Sequence, residues 1–315
     1  MISLTNKLEK YLEIRRSLGF DLSFQERVLR KFTCFADSLG ADYVTVDLFL
    51  QWRKNYGKAS NSTWASRLGM VRVFTEWLNG IDSRNEIPSK RLISSKYYRR
   101  SPYIYNEEQI REIIFHAAKL PSRYGIRGLT FSTLFGLTAV TGMRISEIIA
   151  LNDKDIDLTN KTIYIRQSKN GRPRIIPISA STNETLIKYR IKRNFLYMNS
   201  SPAFFILDGG QRPTDCSARY NFATVCQSIG LRKIERFYKH GIGPRIHDLR
   251  HTFAVRTIIN WYKKGLNVDM EMLKLTSYLG HTKPQYTYWY IEAIPELLQL
   301  ASERAVKVFN LENNK

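Results

Sequence analysis

Two histidines and two arginines crowd one short run, Arg245-Ile-His247-Asp-Leu-Arg250-His251. Its apolar positions Ile246, Leu249, Phe253 and Val255 allow a helix, and on a helix His247 and Arg250 stand one turn apart and share a face. A cation and a proton donor then point together at an oxyanion. Leu279-Gly-His281 and Thr287-Tyr-Trp-Tyr290 follow downstream. In a chain this basic, a phosphodiester flanked by tyrosines is the natural candidate.

Other stretches could add to this chemistry. Thr141-Gly-Met-Arg144-Ile-Ser-Glu147 puts a glycine bend before an amphipathic helix on which Arg144 and Glu147, three apart, can share a face. A surface ion pair is the ordinary reading of such a pair and contributes little to stability. Two β runs, Thr162–Arg166 and Arg174–Ile178, flank Gln167-Ser-Lys169-Asn-Gly-Arg172-Pro. Asn-Gly marks the turn of a hairpin with Lys169 at its exposed tip, where a lysine is usually only solvated. His247-Asp-Leu-Arg-His251 also looks like a variant of the zinc-binding H-E-x-x-H helix. A guanidinium beside a dication and the absence of a downstream ligand motif count against metal, so His251 reads as a structural histidine.

The rest of the chain must position these groups. Its 315 residues suit two domains, and 43% hydrophobic content is ample for globular packing. Forty-nine Lys and Arg against 28 Asp and Glu give +21, which points to a polyanionic partner, DNA or RNA before an anionic membrane. No apolar run approaches a membrane span and no signal-peptide core opens the chain, so a cytoplasmic protein is expected. Cys34, Cys216 and Cys226 form no C-x-x-C pair and read as buried small apolar residues in a reducing compartment.

Helical periods predict four N-terminal helices: through Leu18; from Ser23 with Glu26 as a capping box; from about Thr45; and from about Ser60 to Leu78. They make an all-α domain over 1–82. Residues 1–50 carry seven basic and seven acidic side chains, whereas residues 51–100 carry eleven against three. Arg53, Lys54, Lys58, Arg67 and Arg72 therefore read as phosphate contacts. The period disappears between Ile81 and Tyr105, predicting a linker over 83–105 that Lys90, Arg91, Lys96, Arg99 and Arg100 make basic, lying along nucleic acid or simply solvated.

Residues 106–315 form the second domain, mainly helical with the small β hairpin, so the fold class is α with a minor β part. Arg172 and Arg174 at the hairpin are further candidate contacts. Tyr220–Ile229 reads as a helix and Leu231–Pro244 as a basic loop. An amphipathic tail begins at Pro295.

T-G-M-R-I-S-E-I, a lysine-tipped hairpin, H-D-L-R-H-T-F-A, L-G-H and T-Y-W-Y, in this order, resemble the tyrosine recombinases, the site-specific recombinase and phage-integrase family. The resemblance covers about residues 106–300; the helical N-terminal part is similar to the family's core-binding domain in size, helicity and charge. It implies strand cleavage through a 3′-phosphotyrosine without metal, ATP or other cofactor. Arg144 and Arg250 then bind the phosphate, Glu147 supports Arg144, and Lys169 is the general acid. His247 and His281 flank the phosphate and Tyr290 is the nucleophile, favoured over Tyr288 and Tyr286 by its interval from His281 and its Thr-x-x-Tyr context. The implied partner is double-stranded DNA bound by a homotetramer, with or without companion recombinases, the tail packing on a neighbour or on its own domain. The ending T-Y-W-Y-I-E-A-I-P-E-L-L resembles integrases of transposons and other mobile elements. The run Asn260–Thr276 looks longer than is usual in the family. A type IB topoisomerase and a non-cutting DNA-binding regulator of the same fold are the alternatives.

Overall fold

The structure, a computed structural model, describes residues 3–95, 99–166, 173–197, 201–235 and 238–313. The chain divides into two compact units, Met1–Arg100 and Ser101–Lys315.

In the first unit, α1 (Leu4–Ser17), α2 (Ser23–Ser38), α3 (Val46–Asn55) and α4 (Asn61–Asn79) bury one apolar stripe each. Leu4, Leu8 and Leu12 of α1 meet Phe32, Phe49, Trp52, Trp64 and Phe74, with Trp52 edge-on to Phe32 and Trp64. Side-chain oxygens satisfy the first amides of three helices: Ser3 accepts from Asn6, Thr45 from Leu48 and Ser60 from Thr63. The capping box expected at Ser23 and Glu26 does not form. Asp21 accepts the Ser23 amide instead, and the Glu26 carboxylate pairs with Arg16 and Arg30.

The stretch predicted as a linker is largely folded. Asn85 is buried, accepts the Val44 amide and donates to Asp82 O, while Ile93 enters the helical core. At the other end Tyr105 belongs to the second unit: its amide donates to Thr252 and its hydroxyl to Arg245 O. A polar composition hid these bonds because main-chain and amide partners leave no hydrophobic period.

In the second unit α5 (Glu107–Ala118) packs on α6 (Arg127–Thr141), which is buried on almost every side and forms the axis of the core. The short α7 (Ile145–Ala150) follows. An antiparallel sheet comes next, in the order β1 (Ile156–Asp157), β2 (Thr162–Ile165), β3 (Arg174–Pro177). Ile163 pairs with Ile176 and Ile165 with Arg174, turning Ile163, Ile165 and Ile176 to the core while Tyr164 and Ile175 face out. The turn with Lys169 and Arg172 lies outside the described residues, as does Lys96. Helices α8 (Ala180–Tyr197) and α9 (Asp215–Ser228) close the core.

The expected loop 231–244 instead carries an antiparallel pair, β4 (Lys233–Glu235) and β5 (Tyr238–Ile242). Then α10 (Ile246–Lys263), α11 (Val268–Leu279), α12 (Gln285–Ala293) and α13 (Pro295–Asn313) gather around Val255, Ile258, Met272, Leu275, Tyr290 and Leu297. Leu297 is fully buried there, so the tail begins by packing on its own unit. Of the cysteines, Cys226 is buried as expected, but Cys34 and Cys216 are exposed. Among the described residues no helix is long and apolar enough to cross a membrane.

Candidate active site

Helix α6 ends at Gly142, whose backbone is left-handed at φ 62°. A Cβ there would lie 2.5 Å from the Phe253 ring, so only glycine turns the chain at this point. The turn delivers Arg144 to the start of α7. Glu147 then accepts both the Arg144 amide (3.0 Å) and its Nη1 (2.8 Å). From the first position of β3, Arg174 makes a two-pronged bond to the same carboxylate, at 3.0 and 2.8 Å.

This is no surface ion pair. The Glu147 side chain is 2% exposed and those of Arg144 and Arg174 are 16% and 11%. Burial would raise the Glu147 carboxyl, but the Arg174 hydrogen bond and the charges of Arg174 and Arg144 outweigh it and hold it below the usual carboxylate range.

The arginines share a second anchor. A helix C-terminus leaves its last carbonyls without amide partners and carries the negative end of the helix dipole. Helix α11 ends at Gly280 (φ 65°), where the amides of Gly280 and His281 turn back to Ser277 O and Thr276 O. The next three carbonyls each take a different guanidinium. Tyr278 O accepts Arg174 Nε at 2.8 Å, Leu279 O accepts Arg250 Nη2 at 2.6 Å and Gly280 O accepts Arg144 Nη2 at 2.9 Å. Arg250 is completed by Gly142 O, which accepts its Nη1 at 2.7 Å. A Cβ at position 280 would come 2.9 Å from Arg174 Nη1.

Three arginines against one carboxylate leave net positive charge in a buried space. Burial and the neighbouring Arg144 push Arg250 down to about 10, so it stays cationic at neutral pH. Arg144 and Arg250 each use two of five N–H donors on these bonds, leaving three beyond them.

The histidines and tyrosines surround this cluster. His247 and Arg250 stand one turn apart on α10 as expected, but they differ in burial: His247 is exposed and Arg250 is 1% exposed. The His247 ring meets His251 edge to face, with centroids 4.6 Å apart. His251 Nδ1 lies 2.8 Å from the hydroxyl of Tyr290, which is itself 1% exposed. His281 Nδ1 lies 2.7 Å from Thr287 Oγ1, which in turn meets Thr276 Oγ1 at 2.9 Å. Burial, followed by the nearby Asp269, raises the Tyr288 hydroxyl, and Tyr286 is exposed.

The arrangement thus gathers Arg144, Glu147, Arg250, His247, His281 and Tyr290, and adds two residues assigned elsewhere. Arg174, a candidate DNA contact from the sequence, is largely buried in the arginine cluster. His251 is bonded to Tyr290, and its position four residues after His247 was the available signal. Among the described residues no group of three metal-ligating side chains forms.

In the first unit Arg53 donates to Asn61 Oδ1, Arg67 lies over the Tyr56 and Trp64 rings, and Arg72 donates to Pro88 O and pairs with Glu76. Lys54, Lys58, Lys90, Arg91 and Arg100 are exposed and Arg99 is half-buried. A cleft of about 810 Å³ between α2 and α4 is lined by Arg27, Lys31, Arg67, Trp52 and Tyr56.

Residues 104–296 match the phage integrase family. The chain is 34% identical to an integrase/recombinase of Sinorhizobium fredii, y4rB, over 96% of its own length and 97% of that protein's. It is 28% identical to the tyrosine recombinase XerC of a Roseiflexus species, over 79% of this chain and 72% of that one. Among solved structures, the Tn1549 transposon integrase in complex with a circular intermediate DNA superposes with a TM-score of 0.64 at 17% identity, covering 97% of this chain and 100% of that one. The chain belongs to the phage integrase family, and its enzyme class is that of the tyrosine recombinases.

Proposed function

We propose that the chain cuts and rejoins DNA at a specific site through a covalent 3′-phosphotyrosine formed on Tyr290, serving the integration or excision of a mobile element. The observation that carries the reading is a geometric concentration of positive charge: Arg144, Arg174 and Arg250 converge on the three carbonyls that end α11 around one buried carboxylate, and His251, the next residue after Arg250, is bonded to Tyr290. A phenol placed in such a field, beside fixed donors for phosphate oxygens, is set up for in-line attack on a phosphodiester.

In this reading Arg144 and Arg250 hold the non-bridging oxygens, Glu147 and Arg174 fix Arg144, and His247 and His281 hydrogen-bond the phosphate. Lys169 protonates the departing 5′ oxygen. The bond energy is kept in the phosphotyrosine, so a second strand's 5′-hydroxyl reverses the step without metal or ATP. The partner is duplex DNA, engaged by a homotetramer alone or with companion recombinases. Arg67 and the basic side chains around it contact its phosphates. The identity to an integrase/recombinase supports recombination, and the mobile-element role is suggested by the fold's likeness to a transposon integrase.

The test is a duplex carrying the element's end, nicked just beyond the cleavage point and incubated in EDTA with wild type or Tyr290→Phe. A protein–DNA band on a denaturing gel that is absent from the variant is the expected result. A band that persists in Tyr290→Phe moves the nucleophile to Tyr288, and no band with any end despite binding leaves a non-cutting DNA binder.

A further inference from the structure

We propose that His251 is the base that takes the phenolic proton of Tyr290 during strand cleavage and returns it during rejoining; this rests on the phosphotyrosine reading. The hydroxyl and Nδ1 are 2.8 Å apart, within reach for proton transfer without an intervening water. His251 is 6% exposed and Tyr290 is 1% exposed, so bulk water does not compete for that proton. His281 directs its own Nδ1 to Thr287, and His247 is exposed one turn away.

Phenol donation to Nδ1 requires the neutral tautomer with its proton on Nε2. Charged and titratable groups around the pair include His247 and Arg250 from α10, with Arg144 and Glu147 of the α7 turn and Arg174 of β3 in the same cluster as Arg250. Arg250 favours phenolate and disfavours imidazolium. A free phenol is a much weaker acid than a free imidazolium, so the transfer is uphill until the oxygen begins to bond phosphorus. Transfer therefore accompanies attack. As the Tyr290 oxygen bonds phosphorus, its O–H pair remains on oxygen and the proton passes to Nδ1. The P–O5′ bond breaks with its electron pair going to the 5′ oxygen, which the general acid protonates. In the reverse reaction the imidazolium returns its proton to the departing tyrosine oxygen.

His251→Asn tests this, since the amide can still hold the phenol at the Nδ1 position but cannot accept its proton. Single-turnover formation of the covalent complex on the nicked duplex is followed from pH 5 to 9 at fixed salt, with DNA binding measured in parallel. The expected result is unchanged binding and a cleavage rate lower by about 10²–10⁴-fold, with the wild-type rise through the imidazole range replaced by a rate that climbs steadily to pH 9. A 5′-bridging phosphorothiolate, which relieves the need for a general acid, is expected not to restore the variant. A His251→Asn rate within about threefold of wild type with the same pH profile overturns the proposal, as does full rescue by the sulfur substrate. Should the variant not fold, 3-fluorotyrosine at position 290 of the otherwise wild-type chain answers the same question. Its more acidic phenol is expected to leave the low-pH limb, which belongs to His251, in place, and a limb that moves to lower pH with the phenol's acidity overturns the proposal. No covalent complex from wild type at any pH sinks the phosphotyrosine reading itself, whereas a normal wild-type band with an unaffected His251→Asn sinks only the base.

Discussion

Glu147→Gln is the most informative single change in the second unit. The carboxylate accepts from Arg144 and, in two-pronged fashion, from Arg174, with its side chain 2% exposed. Glutamine keeps the volume but replaces one acceptor oxygen by a donor, so an NH₂ faces one of the two guanidiniums. Removing one partner from a buried ion pair costs about 3–5 kcal/mol. For a unit of this size each kcal/mol moves the midpoint by roughly 2–4 °C, so scanning calorimetry should show the second unit's transition falling by about 6–20 °C. The effect has a pH signature. Because the folded-state pKa of Glu147 lies below its unfolded value, its stabilisation is fully present above about pH 4.3 and drains as pH falls through the lower folded value. The gap between wild type and variant should therefore narrow in acid. A shift under about 2 °C at neutral pH, or a gap that widens in acid, would refute the view of Glu147 as the counter-charge on which two arginines depend.

Gly280→Ala should cost roughly 1–2 kcal/mol for the left-handed backbone alone, and its Cβ presses on Arg174 Nη1, so covalent-complex formation should fall further than stability. Single-turnover assays beside calorimetry separate the two. Asn85→Ala should lower the first unit's transition by an equivalent of about 1–3 kcal/mol and leave the second unit's unmoved, since Val44 N and Asp82 O lose their buried partner. Arg67→Ala should reduce the slope of log binding constant against log salt by about 1 if it contacts a phosphate, measured by fluorescence anisotropy on duplex DNA.

The helical period was enough to place the N-terminal helices, and Ser60 and Thr45 cap them as their positions suggest. The failure at Ser23 has a local cause: Asp21, two residues earlier, reaches the same amide first. In the second unit the motif order was legible, but its burial was not. Glu147 looks like half of a surface pair because its other partner, Arg174, lies on a strand 27 residues on. The strands within 231–244 escaped notice because they are only three and five residues long and are set among basic side chains. His251 was passed over because one helix face could be read only as metal-binding or structural until Tyr290, 39 residues away, was placed against it. The carbonyls of Tyr278, Leu279 and Gly280 have no signature at all, since every residue has one.

Those three carbonyls govern where the chain can change its length. One inserted or deleted residue inside α11 rotates the helix end by about 100° and shifts it about 1.5 Å along the axis, displacing all three acceptors from their arginines together. The span from Lys264 to Leu266 precedes the helix and its Asn267 cap and does not set the phase of α11. Extra residues between the histidine-rich run and Leu279-Gly-His281 can accumulate there, or at the end of α10, while α11 keeps its phase. The length of Asn260–Thr276 is then compatible with an intact site, provided that the additions stop before Val268.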